Sequence, residues 1–189
     1  MARSITSLLT SSVSSNSVPE RGVAHYLALA GIGALLAVAH RAWDFHLGLP
    51  GHYGLVWMAG VMVARHWSPT RWAAINVAAG YVGGVALLAH GAGAGLQAPV
   101  YALCALVVDL AWAGGLRRSR HLALLALAGG FAFMLKPLAV YALAHGIDLH
   151  LGKLRFGPAF PLLTHFAFGS VGAVLGTLLH GLAGRGRRG

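Results

Sequence analysis

The sequence predicts an all-α integral membrane protein, a compact bundle of six transmembrane helices with the N and C termini cytoplasmic. Three observations predict it. Of the 189 residues, 57% are apolar, and the mean hydropathy is +0.70. Only four acids occur, Glu20, Asp44, Asp109 and Asp148, whereas a soluble domain needs far more charge to cover its surface. The arginines gather in alternate connectors between apolar runs, as topology signals do. That placement also separates the net charge of +10 from the pattern of a nucleic-acid binder, which lays its basic residues along one polar face.

Residues 1–22 read as a flexible Ser-rich tail, "MARSITSLLTSSVSSNSVPE" and two more. They lack the apolar core and cleavage site of a signal peptide. The expectation is a tail followed by an uncleaved first helix, with a short transit peptide as the second reading. Residues 23–183 form the six-helix transmembrane domain, and 184–189 a basic cytoplasmic tail. Apolar runs and their breakers place helices at 23–42, 51–65, 70–90, 97–116, 120–145 and 159–183. The second is short, since fifteen residues rise only about 22 Å against a hydrocarbon core of about 30 Å.

The connectors "RHWSPTR" (65–71) and "RRSRH" (117–121) and the tail "RGRRG" are basic, while "GAGAGLQA" (91–98) carries no charge. Alternate crossing then puts ten arginines inside, leaving Arg41, Lys153 and Arg155 outside. Small residues recur at four-residue spacing, as in Ala30/Ala34, Gly80/Gly84 and Gly172/Gly176. Such pairs let helix backbones approach closely in lipid. Cys104 is the single cysteine, which excludes an internal disulfide.

Polar residues inside such a chain are the candidate site. The predicted topology puts His40, His46, His52, His90, His145, His150 and His165 near the outer side. His25, His66, His121 and His180 fall near the inner side. "DFHLG" (44–48) and "DLHLG" (148–152) nearly repeat one another on the same predicted face. Asp44, His46, Asp148 and His150, with His52 nearby, are ligands that a Zn, Ni or Co ion accepts. His46, His52 and His150 are the candidate metal set. Solvated loops and organic-ligand contacts are the competing readings, and no cofactor is required. Lys136, in "FMLKPLAV", lies roughly 15 Å from the outer helix end. Asp109, in "LVVDLAW", is expected at similar depth. A charge there requires a partner or a wet cavity, so the two form an interhelical ion pair or the floor of a ligand cavity. Tyr53, Trp57 and Tyr81 supply aromatic walls for a flat ligand, while most tryptophans read as interfacial anchors.

The six short helices, the second segment "LGLPGHYGLVWMAGVMVAR" and the last helix "LTHFAFGSVGAVLGTLL" resemble the substrate-binding S-components of energy-coupling-factor (ECF) transporters. The resemblance covers about residues 23–183. It implies a subunit that captures a vitamin, precursor or metal ion from outside. An ECF transmembrane scaffold subunit and two ATPases then drive uptake across a bacterial inner membrane. It assigns Ala30 and Ala34, in "AGIGA", to the scaffold contact, with Ala24/Ala28 as a second register. Metal-specific members begin with a Met-His arm, and this chain begins "MARS". The expected pocket lies beneath 44–54, whose Gly48, Pro50 and Gly51 shape a turn. Its ligand-binding set is Asp44, His46, His52, Tyr53, Trp57, Tyr81, His90, Asp109, Lys136, Asp148, His150 and His165. The expected partners are this small-molecule or metal ligand, the transporter subunits and membrane lipid, with no nucleic acid. The chain carries no ATPase motif, and no dense helical HxxxH cluster marks it as an enzyme. The alternative reading is a stand-alone small transporter or channel for a metal ion or proton.

Overall fold

The computed structural model describes residues 22–42, 49–88, 93–118, 121–146, 157 and 159–185. These residues are helical throughout, with short turns and no strand among them. The order is α1 (Val23–Ala42), α2 (Tyr53–Trp67), α3 (Ala73–Leu88), α4 (Gly93–Ala113), α5 (Leu122–Gly146) and α6 (Ala159–Arg185). A single 3-10 turn, Leu116–Arg118, follows α4. Three stretches are long and apolar enough to cross a membrane by length and composition: Val23–Ala42, Leu122–Ala142 and Ala159–Gly184. Ala73–Leu88 and Pro99–Ala113 are shorter apolar helices.

Glycine sets the packing. A Cβ at Gly33 would fall on the backbone of Val77 and Tyr81, and one at Gly80 on the carbonyl of Ala30. Gly84 likewise lies against Ala34 and Ala37, so α1 and α3 run parallel at close range. Gly129 and Gly169 face each other where α5 and α6 cross antiparallel. Gly172 meets Leu55 and Gly176 meets Ala59, which sets α6 parallel to α2. Absent side chains at these points let backbones touch, which gives close van der Waals packing between the helices. Large apolar side chains then face outward: Leu27, Leu87, Phe131, Leu163 and Leu182 are all exposed. For a lipid-facing belt this is the required arrangement, whereas in water it would be a liability.

The core is built around α2, whose Trp57, Met58, Val61, Met62, Ala64 and Arg65 are buried. Successive helices alternate in direction. His25, at the start of α1, hydrogen-bonds Ser68 beyond the end of α2 at 2.8 Å. His180, near the end of α6, stacks on His66 near the end of α2. The first turn of α1 and the last turns of α6 therefore share one end of the bundle, here the arginine end. His40, Tyr53 and His165 mark the opposite, His40 end.

Candidate functional site

At the His40 end, all six helices and the turn before α2 bring one aromatic and basic cluster together. The His40 ring stacks on Tyr53, with centroids 3.7 Å apart. His40 Nδ1 shares a hydrogen bond of 2.5 Å with the Tyr81 hydroxyl. The Tyr53 hydroxyl donates to the Leu36 carbonyl on α1. The Tyr81 and Tyr101 rings are neighbours, with centroids 4.6 Å apart. Lys136 Nζ donates to Tyr101 Oη at 2.8 Å and sits 4.7 Å from the Tyr101 ring centroid. Polar side chains of α1, α3, α4 and α5 thus follow one another as neighbours: His40, Tyr81, Tyr101 and Lys136.

Trp57 closes the cluster from α2. It packs 5.1 Å from Tyr101 and 6.1 Å from Phe133, between centroids. It is fully buried, and its indole N–H has no hydrogen-bond partner among the described residues. Such a donor normally finds an acceptor when buried. His165 of α6 stacks on Phe133 at 5.3 Å, and its Nδ1 donates to the Pro161 carbonyl at 2.7 Å. The turn before α2 lies directly on His165. Gly51, at φ +83°, has no Cβ to collide with that ring.

Of the residues expected to bind ligand, Tyr53, Trp57, Tyr81, Lys136 and His165 are gathered here. His52 stands at the rim, its Nδ1 donating to the Leu49 carbonyl at 2.8 Å. That bond fixes Nδ1 as the protonated nitrogen and leaves Nε2 as the acceptor. Asp44, His46, His90, Asp148 and His150 lie outside the described residues, as do all of 43–48 and 147–156. Two members of the candidate metal set, His46 and His150, are among them. Among the described residues, no three His, Cys, Asp or Glu side chains gather as a metal group.

Asp109 is placed differently from the expectation. It neither pairs with Lys136 nor lies beneath the aromatic cluster. Its carboxylate is 3.0 Å from Arg65 Nη1 and accepts from the backbone N–H groups of Ala74 and Ile75 at 3.1 and 3.0 Å. Tyr101 and Asp109 are eight residues apart on α4, about 12 Å along the axis, so depth separates them. Asp109 caps the first turn of α3, where unpaired N–H groups and the helix dipole favour an anion. Ala30 and Ala34 are also engaged within the chain, against Gly80 and Gly84 of α3. Small residues at that spacing find the nearest small residues, and α3 supplies them. The exposed register of α1 is Ala24 and Ala28.

Sequence reading passed over Tyr101, Phe133 and the role of His40. The signal for two of them was helical spacing. Phe133 and Lys136 are three apart on α5, and Tyr101 and Cys104 three apart on α4, so each pair shares a face. Tyr101, Cys104 and Phe133 are fully buried. An open cavity lies at the arginine end, lined by Arg65, Arg71, Arg117 and Arg118 with Trp72 and Trp112. It is at the opposite end from the pocket expected beneath 44–54.

The fold and this cluster define an all-helical protein, three of whose helices are long and apolar enough to be compatible with a membrane. No protein-family model, curated protein or solved structure matches the chain.

Proposed function

We propose that this chain is the membrane-embedded substrate-binding subunit of an ECF-type importer. It crosses the membrane six times, holds both termini in the cytosol, and captures a small polar or anionic molecule at the His40 end. The single observation that carries the binding reading is Lys136. Its ammonium sits among buried rings, bonded to a neutral phenol, with no carboxylate partner among the described residues. Intramembrane charge without a counter-ion is expensive and marks functional sites. The unpartnered Trp57 N–H supplies a second donor in the same cluster. Together they suit a ligand with acceptor atoms and a flat face, which Tyr53, Tyr81 and Tyr101 would stack against.

Orientation is supported by charge. Arg65, Arg71, Arg117 and Arg118 cluster at one end, the cytosolic one under the positive-inside rule. Coupling to a scaffold subunit and ATPases is supported by the resemblance. The exposed Ala24/Ala28 register leaves a small-residue face for that contact, in place of Ala30/Ala34.

The test is native mass spectrometry of the full chain, gently extracted from its own membranes. The expected result is a retained small molecule, lost in Lys136→Met and Trp57→Phe, with scaffold and ATPase subunits in the same preparation. A bare chain with no adduct and no partner subunits would refute the proposal. The second reading, a stand-alone proton or metal-ion transporter, is favoured by the neighbouring polar side chains His40, Tyr81, Tyr101 and Lys136. Proton or metal flux into liposomes holding this chain alone would select it.

A further inference from the structure

The arginine-end cavity has a volume of about 1070 Å³. Four guanidiniums line it, from the end of α2, the connector before α3 and the turn after α4. Among the described residues the one carboxylate is Asp109, and it is already taken by Arg65. Arg71, Arg117 and Arg118 therefore face the cavity with no carboxylate partner among those residues. Like charges gathered around one space repel, and an anion between them removes that repulsion.

Two of the guanidiniums are positioned by tryptophan rings. Arg65 lies over the Trp112 ring at 5.2 Å and Arg71 over Trp72 at 4.9 Å. A cation–π contact spends none of a guanidinium's N–H donors. Arg65 is also fixed by Nη1 bonds to the carbonyls of Thr70 at 2.6 Å and Arg71 at 3.3 Å. Its Nε is buried with no partner among the described residues. A buried, unspent donor on an immobilised guanidinium is a second sign of a missing acceptor, beside the cavity itself.

We propose that this cavity binds a phosphate group. Forked guanidiniums match phosphate oxygens bidentately, and the four around one space fit a group bearing several such oxygens. Two sources present it: the headgroup of an anionic phospholipid at the membrane surface, or a water-borne phosphate compound. Basic pockets between helices on the positive side hold lipid headgroups by the same chemistry. Trp67 and Trp72, both exposed at this end, suit the headgroup level. The site stands apart from the Lys136 cluster and does not depend on what that cluster binds.

The test uses the full chain in neutral detergent, titrated by native mass spectrometry with phosphatidylglycerol, phosphatidylcholine and inorganic pyrophosphate. Phosphatidylglycerol is expected to bind in preference to phosphatidylcholine. The double variant Arg117→Gln/Arg118→Gln should weaken it about 30-fold, the effect of two guanidiniums at a membrane surface. The tail variant Arg187→Gln/Arg188→Gln should leave it unchanged. Displacement of the lipid by pyrophosphate assigns the site to water-borne phosphate, and retention assigns it to the headgroup. Equal binding of the two lipids with no pyrophosphate binding overturns the proposal, as does equal weakening by the tail variant. On unmutated protein, phosphatidylglycerol should shield Arg117 and Arg118 from phenylglyoxal. Unchanged labelling of both counts equally against the site, whether or not the double variant folds.

Discussion

Asp109 of α4 and Arg65 of α2 meet at 3.0 Å, both side chains buried, while the same carboxylate caps the first turn of α3. One acid thus ties three helices at the arginine end. The carboxylate is satisfied by Arg65 and two backbone N–H groups, which is the condition under which a buried charge is tolerable.

Removing one member should be costly. Asp109→Asn leaves Arg65 buried without its counter-ion and weakens the cap on α3. The expected loss is about 3–5 kcal/mol. Thermal unfolding in detergent reads it. The double replacement Arg65→Met/Asp109→Leu should be less damaging than the single change, because no charge is then left unpaired. A double variant worse than Asp109→Asn alone would contradict this account.

Close helix contact at glycine predicts a sharp positional contrast. Gly80→Leu places a side chain on the Ala30 carbonyl, whereas Gly83 has open space around it. Gly80→Leu should cost about 1–3 kcal/mol through overpacking, and Gly83→Leu should be close to neutral. Equal melting temperatures for the two variants would show that α1 and α3 are not held as described.

The turn before α2 predicts a different cost. Gly51 adopts φ +83°, and a Cβ there would stand 2.7 Å from the His165 ring. Gly51→Ala should lose about 1–2 kcal/mol from the left-handed backbone alone, with the ring clash added. His165→Ala should relieve the clash and not the backbone part. The double variant should therefore recover some, but not all, of the melting temperature lost in Gly51→Ala.

Lys136 predicts a separation of stability from binding. Lys136→Met keeps the volume and removes a half-buried charge whose partner is a neutral phenol. Ligand-free stability should hold or rise, because desolvating the ammonium is no longer required. Retention of the co-purified small molecule should fall at the same time. Loss of the fold in Lys136→Met would assign the residue a structural role.

The helices were legible because apolar length is a local property. The span 23–42 coincides with α1, and the other five boundaries differ by a few residues. The stop of α2 moved from 65 to Trp67, since Arg65 and His66 are helical residues turned inward rather than connector residues. Gly80/Gly84 and Gly172/Gly176 were legible as close-approach pairs. Which helix each would meet was not, because spacing along one helix carries no record of its neighbour.

By itself, the sequence determined that the chain is helical, apolar and charge-poor, with arginine concentrated in alternate connectors. Those features depend on composition and on residues three or four apart. The tertiary structure alone decided the partners: Asp109 with Arg65 rather than Lys136, Lys136 with Tyr101, and Ala30 and Ala34 with α3. The physical reason is that a buried polar group binds whatever donor or acceptor the packing brings within about 3 Å. Helix packing is in turn settled by where backbones can touch, a property of two surfaces at once.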